Sequence, residues 1–572
     1  MSPIEYIVIL GYLLLLVLIG FIFKRFSTGT SDFLRGGCKG TWWLVGTSTF
    51  MSVFSAWTFT GAAGVAFESG FSVMTIYIGN SIGFFLNFLF IGPWFRQLRA
   101  TTFPEVISLR FGPVTQRFYA FMEVPTRILY AAVQLYGLGI FCSAVFGFEI
   151  HIVIIAVGVV VVVYATSGGR WAVMATDFLQ GLILLPITII VAFLCLREMG
   201  GLGGMFNLIE EQGLARDFKI VNGPEQFAGA FTWGWISAMV MKQFLVYNSL
   251  YNAPRYFSVK DGREARKAAL LAMVMMLAGC FFWFLPPITA RLLFADEVLA
   301  LSLAKPAEAS YAIVSMHLLP VGLIGLIVVA ILTATMSSMD TGLNNNVAIM
   351  IKDLYPNFCR WFGLKQRDDH ELLRYSRWYT LVLGVCIVTL ALYFSMGEGK
   401  GIFDIMLDIG TLLLTPMALP LVWGMFIRKT PSWSALFAVG LAAVPSAMGL
   451  FSESLFGQEW LFQTKFFSVF GMGTVAFFFS ALLGESPDAG YRSRVAEFFR
   501  KMHTPIDFEK EVGAGNDLSQ LRTIGGIGLG VSLFVLCLLF IPNPVQGRLA
   551  ILLLALFLGG VSLLMRWAGR TR

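Results

Sequence analysis

The sequence predicts an all-α, polytopic membrane protein, and three observations carry that prediction. Hydrophobic residues fill 57% of 572 positions and charged residues 13%, with a mean hydropathy of +0.76. A soluble domain is about 45–50% apolar and about 25% charged. The apolar residues come in runs long enough to cross about 30 Å of hydrocarbon as helices. The basic residues, finally, crowd into alternate loops. Composition therefore excludes a soluble globular enzyme and a disordered chain. The net charge of +7 is no nucleic-acid signal, because the basic loops share one side of the membrane.

Fifteen apolar runs follow one another, near 4–23, 42–67, 72–95, 118–146, 151–167, 171–196, 228–254, 268–294, 315–351, 376–395, 402–427, 431–451, 466–483, 524–541 and 549–565. The run at 315–351 is too long for one straight crossing and is expected to tilt or to continue beyond the bilayer. The opening MSPIEYIVIL has no basic region and no small-residue cleavage site, so the first run reads as a retained span. With the N-terminus outside, 31 of the 41 Lys and Arg fall in the cytoplasmic segments 24–40, 96–117, 168–170, 255–267, 352–378, 428–429, 484–523 and 566–572. The external segments hold 7, and Arg127, Lys242 and Arg291 lie in or near spans. This asymmetry predicts a plasma (inner) membrane protein with its N-terminus outside and its C-terminus cytoplasmic. The soluble pieces 197–227 and 484–523 are too short to be catalytic domains. The second, with six basic and seven acidic residues, reads as a solvated linker.

No enzyme chemistry is visible. The seven cysteines are dispersed, Cys142, Cys195, Cys280, Cys386 and Cys537 lie in apolar runs, and the four histidines are scattered. That leaves no zinc or iron–sulfur pattern, no P-loop and no nucleophile–base pair. Two GxG matches near Gly525 and Gly530 open an apolar run and read as helix-packing glycines. A transporter or channel is the default, with a membrane-embedded enzyme or a sensor as alternatives. A sensor should carry a kinase or partner-binding tail, and only seven residues follow Met565.

Three stretches break the apolar pattern. In 47–64, nine of eighteen residues are Ser, Thr or Gly. They serve either close helix packing or a helix interrupted at mid-membrane, whose freed carbonyls would coordinate a cation. In 331–346, Ala334, Ser337 and Ser338 share one helix face, and Ser337, Asp340 and Thr341 repeat the spacing one turn on. Hydroxyls and carbonyls suit a hard monovalent cation, although Ser and Thr also back-bond to their own helix. Asp340 is different, since an Asp inside a span costs about 2.5–3.5 kcal/mol on insertion scales and points to function. The third stretch, 167–180, opens on Gly168-Gly169 and carries Asp177 about two turns into a span. Asp177 either pairs with Arg170 at the cytoplasmic end or belongs to a site.

The motifs GGRWAVMATDFLQ at 168–180, FPEVISLRFG at 103–112, RYFSVKDGREARKAALL at 255–271, ATMSSMDTGLNNN at 334–346 with KDLY at 352–355, and GMFIRKT at 424–430 resemble the sodium/solute symporter family. The resemblance implies a LeuT-type 5+5 inverted repeat with one extra N-terminal and about four extra C-terminal helices. Its parts would be 1–41 (extra helix and first cytoplasmic loop), 42–196 (first repeat), 197–227 (external loop), 228–430 (second repeat) and 431–572 (extra helices with the loop 484–523). Each repeat should begin with a broken helix, and the second contains Lys242-Gln243 and Asn248-Ser249, polar enough to fit.

The family's main sodium site implies the carbonyls of Met51, Phe54 and Ala334 and the hydroxyls of Ser337 and Ser338. Some members have a second sodium site, which here comprises Asp177, Ser337, Asp340 and Thr341. Members that carry galactose contact the sugar at positions matching Thr58, Tyr77 and Asn80, and all three residue types differ here, which argues against galactose. Arg127, Lys242 and Asn248 complete the candidate solute residues, with Trp57, Tyr77 and Tyr247 as aromatic platforms. Arg127 and Lys242 either pair with Glu123, Asp177 or a helix C-terminus, or meet the carboxylate of an anionic solute. The implied function is sodium-coupled import of a small polar solute, a sugar or sugar acid, by alternating access. A monocarboxylate or amino acid is the alternative solute class. The expected partners are sodium, the solute and the lipid bilayer, with no cofactor beyond sodium, no nucleic acid and no obligate protein partner.

Overall fold

A computed structural model describes residues 3–24, 36–165, 170–365, 367, 369–396, 401–515 and 517–570. Each of the fifteen apolar runs is helical over most of its described residues, and among the described residues the sole β-type pairing is a lone bridge between Gly40 and Val259. Ten helical stretches are long and apolar enough to cross a membrane, and shorter apolar helices add to them at Pro3–Leu15, Ile150–Val162 and Ser434–Leu450. The chain is a multi-pass membrane protein.

The helices that matter for function are the irregular ones. Trp42–Met51 stops, and the chain resumes helix at Ala56–Phe59 and again at Gly61–Ser69. Ser55 is extended (φ −155°) and its Oγ accepts from Trp57 N at 3.4 Å, so a short polar side chain caps the restart. The second interruption follows Trp233–Asn248, where Ser249 is extended and the chain continues through Leu250–Asn252 into Ala253–Tyr256. Pro254 fits there because the first turn of a helix has no use for its missing N–H. Just outside both broken helices, Gly40 N donates to Ser258 O at 2.8 Å.

The stretch 315–351 is not one tilted helix, although its helical course does continue, as far as Phe362. It divides into Ser310–Leu318 and Leu323–Ile349 around Gly322, whose φ of +95° suits only glycine. The second helix then opens beneath Glu5, whose carboxylate accepts from Gly322 N at 2.7 Å and from Gly325 N. A buried carboxylate from the first helix thus satisfies the orphan donors of another helix's N-terminus. Leu323–Ile349 packs against Pro3–Lys24, Pro113–Phe146 and Arg170–Glu198 at the centre of the bundle. In the most apolar stretch of that run 88% of residues are buried, against 28% in Val545–Ala568 at the periphery. The glycine expectation holds in part. A Cβ on Gly525 or Gly528 would strike Ser562 of the neighbouring helix, whereas one on Gly530 would meet nothing within 4 Å.

The segment 484–523 is not a solvated linker. Its helix Ala489–His503 buries Tyr491, Val495, Phe498 and Met502 against Phe103–Phe111. Glu511 pairs with Arg99 at 2.6 Å, Asp517 with Lys260, and Gln520 Nε2 donates to Lys39 O at 2.7 Å. The hydrogen bond and charge of Arg99 hold the Glu511 carboxyl below its ordinary range. Charge balance suggested a linker, but the buried positions recur every three to four residues, which is the period of an amphipathic helix.

Arg110 fastens this face. Its guanidinium is fully buried and donates to Gly424 O at 2.7 Å, to Ile427 O at 2.5 Å, to Thr430 Oγ1 at 3.0 Å and to Tyr491 OH at 3.1 Å. Arg110→Met should strand these acceptors at a cost of at least about 2 kcal/mol. Thermal unfolding in detergent is expected to show a clearly lower midpoint than the wild type, and an unchanged midpoint would refute the role.

Candidate functional site

At the first interruption, four oxygens converge. Ser338 Oγ lies 3.1 Å from Phe54 O, 3.3 Å from Met51 O and 3.3 Å from Ala334 O. One hydroxyl carries one proton and cannot donate to three carbonyls at once. The cluster therefore holds more acceptors than donors in a buried setting, the arrangement a desolvated cation fits. The restart is tied to the same helix, since Ala56 N donates to Thr335 Oγ1 at 2.9 Å.

Ser337, expected on both ion sites, turns its hydroxyl to Asp177, and Ser48 Oγ donates to the other carboxylate oxygen. Asp177 is fully buried, so two hydroxyls from two different helices face one carboxylate one turn from the Ser338 cluster. Asp340 and Thr341 fall on the same helix, but their side chains lie outside the described residues. So does the side chain of Arg170. Ser48 was missed as a site residue in the sequence. Its signal was present, because it stands one turn before Met51 in the same hydroxyl-rich stretch.

Beside the Ser338 cluster lies a cavity of about 240 Å³. That is below the roughly 300–1,000 Å³ of drug-sized sites and suits a small solute. Trp57 and Phe403 stack across one end with ring centroids 6.0 Å apart. Behind them Glu308 accepts from Ile402 N at 2.7 Å and Lys305 pairs with Asp404. From Trp57 the cavity runs along Asn80, Arg127, Tyr130 and Lys242 towards Asn252, Arg255 and Asn346. Three of its lining residues, Trp57, Asn80 and Asn346, carry a buried polar atom (Nε1, Oδ1 and Oδ1) with no hydrogen-bond partner among the described residues.

The candidate solute residues divide. Asn80, Arg127 and Lys242 line the cavity, and Arg127 pairs with Glu123 at 2.6 Å. Thr58, Tyr77 and Asn248 do not line it. Tyr77 OH donates to Thr58 Oγ1 at 2.8 Å, its ring packs on Trp283 and Phe284, and Asn248 accepts from Asn87 Nδ2 at 3.0 Å. Of the aromatic platforms, Trp57 and Tyr247 reach the cavity.

Two interrupted helices facing a hydroxyl-bearing helix across a small cavity define a secondary transporter of the LeuT type. The sodium:solute symporter family pattern matches residues 33–441, and the chain belongs to that family. It is 25% identical over 459 residues to the sodium/sialic acid symporter of Aliivibrio fischeri, covering 77% of this chain and 86% of that one. It is 26% identical over 503 residues to the sodium/myo-inositol cotransporter 2 of Sus scrofa, covering 80% and 71%. The solved substrate-bound, outward-open structure of a Na+-coupled sialic acid symporter superposes with a TM-score of 0.70 at 20% identity, over 84% of this chain and 98% of the other. Mhp1, a nucleobase-cation-symport-1 family transporter, gives a TM-score of 0.52 at 14% identity, over 82% and 99%. These structural likenesses establish the fold. The family establishes a sodium-coupled symporter rather than an enzyme, with sodium as the coupling ion.

Proposed function

We propose that this chain imports a sugar or sugar acid, driven by two sodium ions per solute. The observation that carries the solute class is that three residues lining one small cavity, Trp57, Asn80 and Asn346, each hold a buried polar atom with no hydrogen-bond partner among the described residues. A buried donor or acceptor left unsatisfied costs about 1–3 kcal/mol, and a polyhydroxylated solute offers a hydroxyl to each. The names of the sialic acid and myo-inositol relatives agree with a solute of that kind. The repeats are taken as 42–196 and 228–430, flanked by 1–41 and 431–572.

The first ion sits among Met51 O, Phe54 O, Ala334 O and Ser338 Oγ, with Ser337 beside them. The second sits at Asp177 with Ser48 and Ser337, and Asp340 and Thr341 complete it. A buried carboxylate with hydroxyls turned to it keeps its charge best when a cation joins it. Each sodium crossing 100 mV contributes about 2.3 kcal/mol, so the second ion multiplies the electrical accumulation factor roughly fiftyfold.

An imposed sodium gradient is expected to drive labelled sugar or sugar acid into proteoliposomes. Ser338→Ala and Ser337→Ala should each lower apparent sodium affinity about tenfold or more, a charge-assisted contact being worth about 1.5–3 kcal/mol. Met51→Leu should be tolerated better, because Met51 offers only its carbonyl. Unchanged sodium dependence in both serine variants would sink the first placement.

Reversal-potential measurements should give a sodium-to-solute ratio of two, falling to one in Asp177→Asn. A ratio of one in the wild type, unchanged in the variant, removes the second ion.

The N-terminus is placed outside and the C-terminus inside the plasma (inner) membrane, on the strength of the 31 against 7 basic residues. An impermeant thiol reagent added to intact cells should label Glu225→Cys and not Arg492→Cys, in a background with the exposed Cys386 and Cys537 replaced. The reverse pattern would invert the topology. In this orientation the stacked Trp57 and Phe403 close the external end of the cavity.

A further inference from the structure

Lys242 is a charged group on the cavity wall that the mechanism above leaves unused. It is 6% exposed, on the broken helix Trp233–Asn248, and makes no hydrogen bond or ion pair with any described residue. Its Nζ lies 5.6 Å from the centroid of the Phe462 ring, and the charge of Asp408 is more distant. Each nearby carboxylate is already engaged. Asp408 pairs with Lys465 at 3.0 Å, Glu123 with Arg127 at 2.6 Å, and Asp177 with Ser48 and Ser337. The cavity lining thus carries three cations, Arg127, Lys242 and Arg255, against the single carboxylate of Glu123.

A neighbouring helix makes room for the ammonium. The helix Ile402–Phe426 bulges into a π-turn over Ile409–Leu414, and within it Gly410 faces Lys242. A Cβ on Gly410 would lie 2.7 Å from Lys242 Nζ and 3.4 Å from Tyr130 OH. A larger residue there would push the ammonium off its position, and π-bulges of this kind recur where a helix must present a site.

We propose that Lys242, given space by Gly410, anchors the carboxylate of the transported solute and makes this protein select the anionic sugar acid over its neutral counterpart. This rests on the reading of the cavity as the solute site. An unpartnered buried ammonium favours an anion strongly, because desolvation has already been met and the bond is charge-assisted. Arg127 does not serve, since Glu123 neutralises it. The three orphan polar atoms then take the hydroxyls, and the ammonium takes the acid group.

The test uses two solute pairs that differ only in the acid group, glucuronate with glucose and N-acetylneuraminate with its methyl ester. Sodium-driven uptake into proteoliposomes of the full-length protein is expected to favour the carboxylate member of at least one pair by tenfold or more. Lys242→Met should weaken apparent affinity for that acid about 10- to 100-fold. Gly410→Ala, which keeps the ammonium but displaces it, should weaken it in the same direction. Sodium-dependent thermal stabilisation, read in the same preparations, should survive in both variants and shows that they are folded. Equal or better uptake of the neutral members, or an undiminished acid preference in Lys242→Met, overturns the anchor and leaves sodium symport standing. Loss of sodium dependence for every solute in the wild type overturns the solute reading and the anchor together.

Discussion

The structure depends on one constraint: backbone carbonyls released inside a membrane must find a partner. Between Met51 and Ala56 the first helix of the repeat gives up its regular hydrogen bonds. No water is on hand in hydrocarbon to take them over. Ser338 and Thr335 on Leu323–Ile349 face the gap, one towards the carbonyls of Met51 and Phe54 and the other towards the amide of Ala56. The break is stable because that helix is held beside it, and the helix is held there by Glu5 at its start and by neighbours on three sides. An ion among the oxygens would share the work of satisfying them. That is how binding of a small cation can be coupled to the relative position of two helices.

Much of this was legible in the sequence, for reasons that differ from element to element. The spans could be read because lipid demands long apolar runs. The first broken helix could be read because nine Ser, Thr and Gly in eighteen residues are out of place in such a run. Ser338 and Ala334 could be placed on one face by spacing alone, and Ser337 with them. What spacing could not supply was rotamer and partner. Nothing in the sequence shows that Ser337 turns to Asp177 while Ser338 turns to the carbonyls, nor that Ser48 is the second hydroxyl on that carboxylate.

The misreadings share a cause. The segment 484–523 was judged by its charge balance, yet its apolar residues face one side and dock on the bundle. Thr58 and Tyr77 were placed in the solute site by matching positions, yet they hydrogen-bond each other behind the cavity wall. Gly322 sits unmarked in an apolar run, and only its positive φ reveals the corner that ends one helix and starts another. Each depends on which way a side chain or a backbone turns in three dimensions, information that neighbours far along the chain supply.

The backbone bridge from Gly40 to Ser258 has a mechanical consequence. It fastens the near ends of both interrupted helices to each other, and Gln520 and Asp517 brace the two sides through Lys39 and Lys260. Two arms clamped at their tips have one degree of freedom rather than two. Any motion that empties the cavity past this face either swings both tips as a single lever or breaks the clamp first. The coordination of the two repeats, which must be learned by gating in an assembly of separate parts, is here built into a single linkage between chain positions more than two hundred residues apart.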